Sequence, residues 1–293
     1  MVQYNPKDWF AFIFRFHKSD TFRQLLPLII AIALYAAGVA YMEVHVLKLS
    51  ENNHLKNLPV MHGILSFVIS MLLVFRTNTA YDRWWEGRKL WGALVNNSRN
   101  LALKLAALVP ASHNKDREFL KKIIPAYAFA LKHHLMNKKL ETELFDDHPE
   151  LYDSIDKSKH IPNQVAALLT KKIYGLHKEG IINGFELYTL NAELQSFTDI
   201  CGACERIKNT PIPFSYSIFL KKFIFIYVMT LPLGYVFSLG YYAVPVVAFI
   251  FYVLASLELI AEEIEDPFGG DANDLPMERM AQNIHKHVFE IFE

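Results

Sequence analysis

The sequence predicts an all-α membrane protein, with four transmembrane helices per subunit and a helical domain in water. Three observations predict it. Uncharged runs of membrane-crossing length occur early and late in the chain. A charged, Trp-bearing middle separates them. No segment shows the apolar/polar alternation of a half-buried strand. Apolar residues make up 52% of the 293 positions and charged residues 20%. That is rich for a soluble domain and too polar for a chain lying wholly in lipid. Thirty basic and 30 acidic residues cancel, so no bulk charge points to nucleic acid as a partner.

Residues 1–24 contain WFAFIFRFHK, where Trp9, Phe10, Phe12, Ile13, Phe14 and Phe16 are mixed with Lys7, Arg15, His17 and Lys18. Aromatics mixed with bases suit a helix lying among lipid headgroups, or one packed on the soluble part. No short apolar core with a small-residue cleavage site precedes the first long run, so no secretory signal is expected. Leu25 to Met42 is uncharged for 18 residues, about the length that crosses a bilayer core. Glu43, His45 and Lys48 close it, and a short polar connection runs from Leu49 to Asn57. Leu58 to Phe75 then returns across, again 18 residues with no formal charge. Residues 25–75 thus form the first two spans. Arg76 ends the second run, and the spacing predicts one helix that leaves the membrane and continues into water.

Residues 76–216 read as a helical domain in water. Trp84, Trp91, Leu94, Val95, Leu101 and Leu105 recur at threes and fours, as on an amphipathic helix. Further helices fit Asp116–Met136, Asn163–His177 and Gly184–Lys208, with polar turns near Asp146–His148 and Lys157–Pro162. Thr210-Pro-Ile-Pro-Phe-Ser-Tyr216 interrupts helix twice, because proline biases its predecessor away from the helical region. Phe223 to Leu257 carries no charge for 35 residues, too long for one span. Gly240 and Pro245 near its middle predict a hairpin, Ile218–Leu239 and Val244–Ile260, so residues 217–264 hold spans three and four. Residues 265–293 are read as a tail. Basic residues lie before span one, after span two and before span three, and the loop between spans three and four has none. Lys and Arg favour the cytoplasmic side, which places both termini and the middle domain there.

Candidate functional positions cluster on the second span. His62, Ser66 and Ser70 recur every four residues; Gly63, Phe67, Met71 and Phe75 form a neighbouring stripe. Residues four apart lie nearly above one another on a helix. Lipid contact and helix packing explain such stripes in one reading; a pore-lining helix with a constriction at Phe67, Met71 and Phe75 explains them in the other. Glu258, Glu262, Glu263, Glu265 and Asp266 close the fourth span and could bind a divalent metal or share a proton. On those acids rest two rival functions, a membrane-anchored enzyme and a secondary transporter. The absence of an internal repeat argues against a transporter. Cys201 and Cys204 are spaced CxxC without a βαβ context, so both are expected to be buried small residues on a helix. His133-His134 and the pair His285 and His287 have no supporting ligands nearby in sequence. No phosphate loop and no HExxH occur.

Three segments carry a resemblance. FRTNTAYDRWWEGRKLWG (Phe75–Gly92), TPIPFSY (Thr210–Tyr216) and EDPFG (Glu265–Gly269) follow one another in the order found in the bestrophin family, in its prokaryotic branch, which this chain resembles over nearly its whole length. The resemblance implies a homopentameric ion channel of the bacterial inner membrane, not an enzyme. One axial pore, lined by the second span, would conduct chloride or other small anions, with cations left open. Its partners would be further copies of itself, the permeating ions and lipid, and no cofactor is implied. The apolar neck falls on Phe67, Met71 and Phe75, and a lower constriction in the domain in water falls on Phe185. Arg83, Trp84, Trp85, Pro267, Phe268 and Gly269 are the family-motif positions. Animal bestrophins carry a run of acids after Pro-Phe-Gly that holds calcium. Here only Asp271 and Asp274 remain of it, beside Gly270, Ala272 and Asn273. Calcium takes six to eight oxygens, often from carboxylates, so calcium activation is not expected.

Overall fold

Helix is the only regular structure in the computed structural model, which describes residues 21–47, 57–138 and 155–293. The expectations for the N-terminal aromatic segment up to residue 20, for most of the 49–57 connection and for the turn at 146–148 lie outside the described residues. The helices are α1 (Thr21–Tyr41, extended by a π turn over Met42–Val46), α2 (Leu58–Leu108), α3 (Asn114–Leu135), α4 (Ile161–Lys178), α5 (Gly184–Asn209), α6 (Phe214–Leu239), α7 (Ala243–Glu265) and α8 (Met277–Phe292). The chain divides into two compact units: one takes the described residues up to Arg83 with Pro211–Asp266, the other Trp84–Thr210 with Pro267–Glu293.

The first unit is built from α1, the first half of α2, α6 and α7. Its core joins Ile32 and Ala36 of α1, Ile69 and Leu73 of α2, Ile224, Val228 and Leu231 of α6, and Val247, Phe251 and Leu254 of α7. Among the described residues, three helical stretches are long and apolar enough to cross a membrane: Thr21–Val46, Leu58–Leu108 and Phe214–Glu265. The last is broken at Gly240, whose φ of 54° is a backbone conformation that side-chain-bearing residues rarely adopt. A short 3-10 turn over Gly240–Tyr242 lets α7 pack back on α6. Large apolar side chains such as Leu28, Ile30, Leu34 and Phe249 lie exposed on this unit. That pattern suits a unit whose solvent is lipid.

The second unit exposes fewer large apolar side chains and has a closed core. Trp91, Leu94, Leu101 and Leu105 of α2 are fully buried against Ile123 and Tyr127 of α3, Phe197 of α5 and Ile284 of α8. The Tyr127 hydroxyl donates to the Phe197 carbonyl at 2.5 Å, and burial pushes the phenol well above its ordinary range. Asn183 caps α5 in a reciprocal capping box with Glu186. Cys201 and Cys204 are free and buried, as expected, and burial pushes the Cys201 thiol up to about 12. One element corrects the sequence reading: the stretch read as a tail contains a regular amphipathic helix, α8. It buries Met277, Met280, Ala281, Ile284, Val288 and Phe292.

Candidate pore face and its braces

Within the first unit α2 has two sharply different faces. His62, Ile69, Leu73, Arg76 and Ala80 are buried. At about 100° per residue these five share one side of the helix, and Phe67, Met71 and Phe75 sit roughly opposite. Those three are 71%, 44% and 57% exposed on the single protomer. Val60 and Ile64 precede them on the same side, and Asn78 and Asp82 follow, all exposed. The distance along the axis from Phe67 to Phe75 is about 12 Å.

The small-polar stripe of His62, Ser66 and Ser70 divides in two. His62 turns inward, where its Nε2 lies 2.9 Å from the Thr230 hydroxyl and its ring meets Tyr227 edge to face. Ser66 and Ser70 donate to the carbonyls of Gly63 and Ser66 on their own helix. A serine bonded to its own helix satisfies its hydroxyl without a partner helix.

The acids at the end of α7 have assigned partners. Arg76 is 2% exposed; its Nη1 lies 2.7 Å from Glu265 Oε2 and its Nε 3.4 Å from Glu258 Oε2. The other Glu265 oxygen accepts from the backbone N–H of Ile212, and the Glu265 carbonyl accepts from Arg83 Nε. Glu262 pairs with Lys221, and Glu263 accepts from Gln24. The Tyr216 hydroxyl donates to the Leu72 carbonyl. Thus Arg76 and Arg83, with Tyr216, tie the end of the apolar run of α2 to the Pro-rich turn and to α7. Sequence reasoning missed Arg76 as this centre: it was read as the residue that stops the span. The available signal was a lone arginine facing several acids across two span ends, since buried charges are nearly always paired.

The second unit contains the matching brace. Trp84 Nε1 donates to the Asn273 carbonyl at 3.0 Å, and the rings of Trp84 and Trp85 stack. Phe268 is fully buried. A Cβ at Gly87 would come within 3.1 Å of the Phe268 ring and 3.2 Å of Pro267, so the absence of a side chain there lets the loop approach α2. Gly269 is exposed. The loop closes on itself: Leu275 N–H donates to the Pro267 carbonyl, and Asp274 Oδ2 accepts from the amides of Gly270 and Asp271. Asp274 is 2% exposed, whereas Asp271 is exposed. The buried carboxylate therefore serves the loop's own amides. Phe185 lies elsewhere in this unit, in the first turn of α5, and is 89% exposed.

The family model for the bacterial and fungal bestrophins matches residues 1–290. Among similar proteins is the voltage-dependent anion channel-forming protein alr2987 of Nostoc sp. (strain PCC 7120), 34% identical over 290 residues, 97% of this chain and 92% of that one. The voltage-dependent anion channel-forming protein YneE of Escherichia coli K12 is 31% identical over 231 residues, 78% of this chain and 75% of its own. The crystal structure of a bacterial bestrophin homologue from Klebsiella pneumoniae, phased on zinc, superposes with a TM-score of 0.79 at 27% identity, covering 92% of this chain and 98% of that one. Its all-helical fold, its apolar spans and the length of these matches make this chain an integral membrane protein that belongs to the bestrophin family, in its bacterial and fungal branch.

Proposed function

We propose that this chain forms a homopentameric anion channel whose pore is lined by the outward face of α2. The observation that carries the reading is the placement of Phe67, Met71 and Phe75 on the side of α2 that lies exposed among the described residues of the subunit. A single α2 encloses nothing. Identical copies related by rotation close a ring, and each adds one Phe67, one Met71 and one Phe75 to three stacked collars. A narrow apolar collar gates by losing its water. Phenylalanine rings have positive edges and negative faces, so rings turned edge-on to the axis favour an anion. Met71 is the adaptable collar between them.

Four spans, α1, the first part of α2, α6 and α7, with the termini and the second unit in the cytoplasm, complete the arrangement in the bacterial inner membrane. Phe185 is the candidate for a second, cytosolic constriction. The PFG loop braces the channel without calcium, because its buried carboxylate is already engaged by two amides. The enzyme and transporter readings lose their basis once Glu258, Glu262, Glu263 and Glu265 have structural partners.

The test is a planar-bilayer recording of purified protein under a tenfold chloride gradient. Unitary currents reversing near the chloride equilibrium potential are expected. Reversal near the cation potential overturns anion selectivity, and saturable flux without unitary currents overturns the channel.

A further inference from the structure

Three side chains that the channel reading does not use converge in the second unit. His134 comes from the last turn of α3, His160 is the N-cap residue of α4, and Glu205 lies near the end of α5. His134 Nε2 and His160 Nε2 lie 2.6 and 2.7 Å from the same Glu205 oxygen, Oε1. The two imidazole rings are 4.4 Å apart between centroids. All three ligand atoms fall within 4.8 Å of one another, and all three residues are half-buried.

We propose that His134, His160 and Glu205 form a binding site for one zinc-class divalent cation per chain. Two imidazole nitrogens and one carboxylate oxygen are a donor set that zinc takes with a fourth position open to water. Partial exposure of the three leaves room for that water. Imidazole also selects against calcium and magnesium, which prefer oxygen.

Entry of the ion asks for small movements. Bonds of about 2.0–2.1 Å in a tetrahedron place ligand atoms about 3.4 Å apart, so the present contacts open by about 0.7 Å. His160 Nδ1 accepts a long cap hydrogen bond, 3.2 Å, from the Asn163 amide. In the metal-free form its proton therefore sits on Nε2 and is donated to Glu205. Loading moves that proton to Nδ1 and exchanges the cap for a metal bond. Neither His133, fully buried beside His134, nor the CxxC cysteines reach the cluster as ligands.

The test uses the full chain without a histidine tag, in detergent, stripped with chelator and titrated with zinc chloride. One zinc per chain and a zinc-dependent rise in Tm are expected, with cobalt giving a four-coordinate ligand-field spectrum and calcium giving no response. His160→Asn keeps a good N-cap residue and removes the ligand. It and Glu205→Gln are expected to weaken zinc at least about a hundredfold and to abolish the Tm rise. Absence of stoichiometric zinc binding in the unaltered chain overturns the site. So does equal affinity in the variants, or a loss of stability in them that zinc never influenced, which would make the cluster a hydrogen-bonded latch only.

Discussion

The two faces of α2 in the first unit differ in what they hold on to. The inward face has a partner for each polar group that matters: His62 meets Thr230, and Arg76 meets Glu258 and Glu265. On the outward face Phe67, Met71 and Phe75 are exposed, with none of them in the core of the described residues. Inward side chains therefore set whether the subunit folds, while outward ones are free to serve conduction. The same helix continues into the second unit, where Trp91, Leu94 and Leu101 disappear into a closed core.

Substitutions can break or sharpen this contrast. The largest effect is expected on the inward face: Arg76→Ala leaves the buried Glu258 and the partly buried Glu265 carboxylates without their cation and destabilises by about 3–5 kcal/mol. A denaturant or thermal melt that matches the unaltered chain would contradict the inward assignment. Next, the second unit's loop: Asp274→Ala removes the acceptor of two part-buried amides and costs about 1 kcal/mol. Currents at micromolar calcium are expected to equal those in chelator, and a calcium-evoked rise would overturn the reading of Asp274 as a purely structural carboxylate.

A pair of cysteines separates the faces directly. Cys201 and Cys204 are buried, so they are expected to stay silent toward charged, water-soluble thiol reagents. Met71→Cys is expected to react and to block the current, and Leu73→Cys to resist. Equal protection of both would place Met71 against lipid. The smallest effect lies far from α2. A hydrogen bond from Lys172, against some opposing burial and with help from His113, holds the Asp116 carboxyl below its ordinary range. A depressed carboxyl stabilises above its unfolded pKa, about 3.9, and loses that contribution as pH falls through the folded value. Asp116→Asn should cost less than about 1 kcal/mol at neutral pH, since the pair is partly exposed, and nothing in strong acid.

Much of the fold was legible because the governing signals are local. The 18-residue uncharged runs and the unbroken 3.6-residue period through Trp84 and Trp91 announced α1 and the single long α2. Gly240 marked the break between α6 and α7. The helix α8 was also written in the sequence, in Met277, Met280, Ala281, Ile284 and Val288, but Pro-Phe-Gly-Gly just before it reads as the start of a loose tail. Contacts between distant segments were harder to see. Nothing local says that Arg76 meets Glu258 and Glu265, that Asp274 folds onto its own loop, or that His134 and His160 meet on Glu205. Nor does the spacing of His62, Ser66 and Ser70 reveal that the first turns inward while the serines bond to their own helix; only the neighbouring α6 decides that.

The account rests on the outward stripe of α2 facing water and ions shared between copies. The most direct measurement is the single-channel current of the full chain carrying Phe67→Ala, Met71→Ala and Phe75→Ala together, recorded beside the unaltered protein. The expected result is a unitary conductance several-fold larger, with the protein's melting temperature nearly unchanged because these side chains support no core. Unitary currents identical to those of the unaltered channel would contradict it.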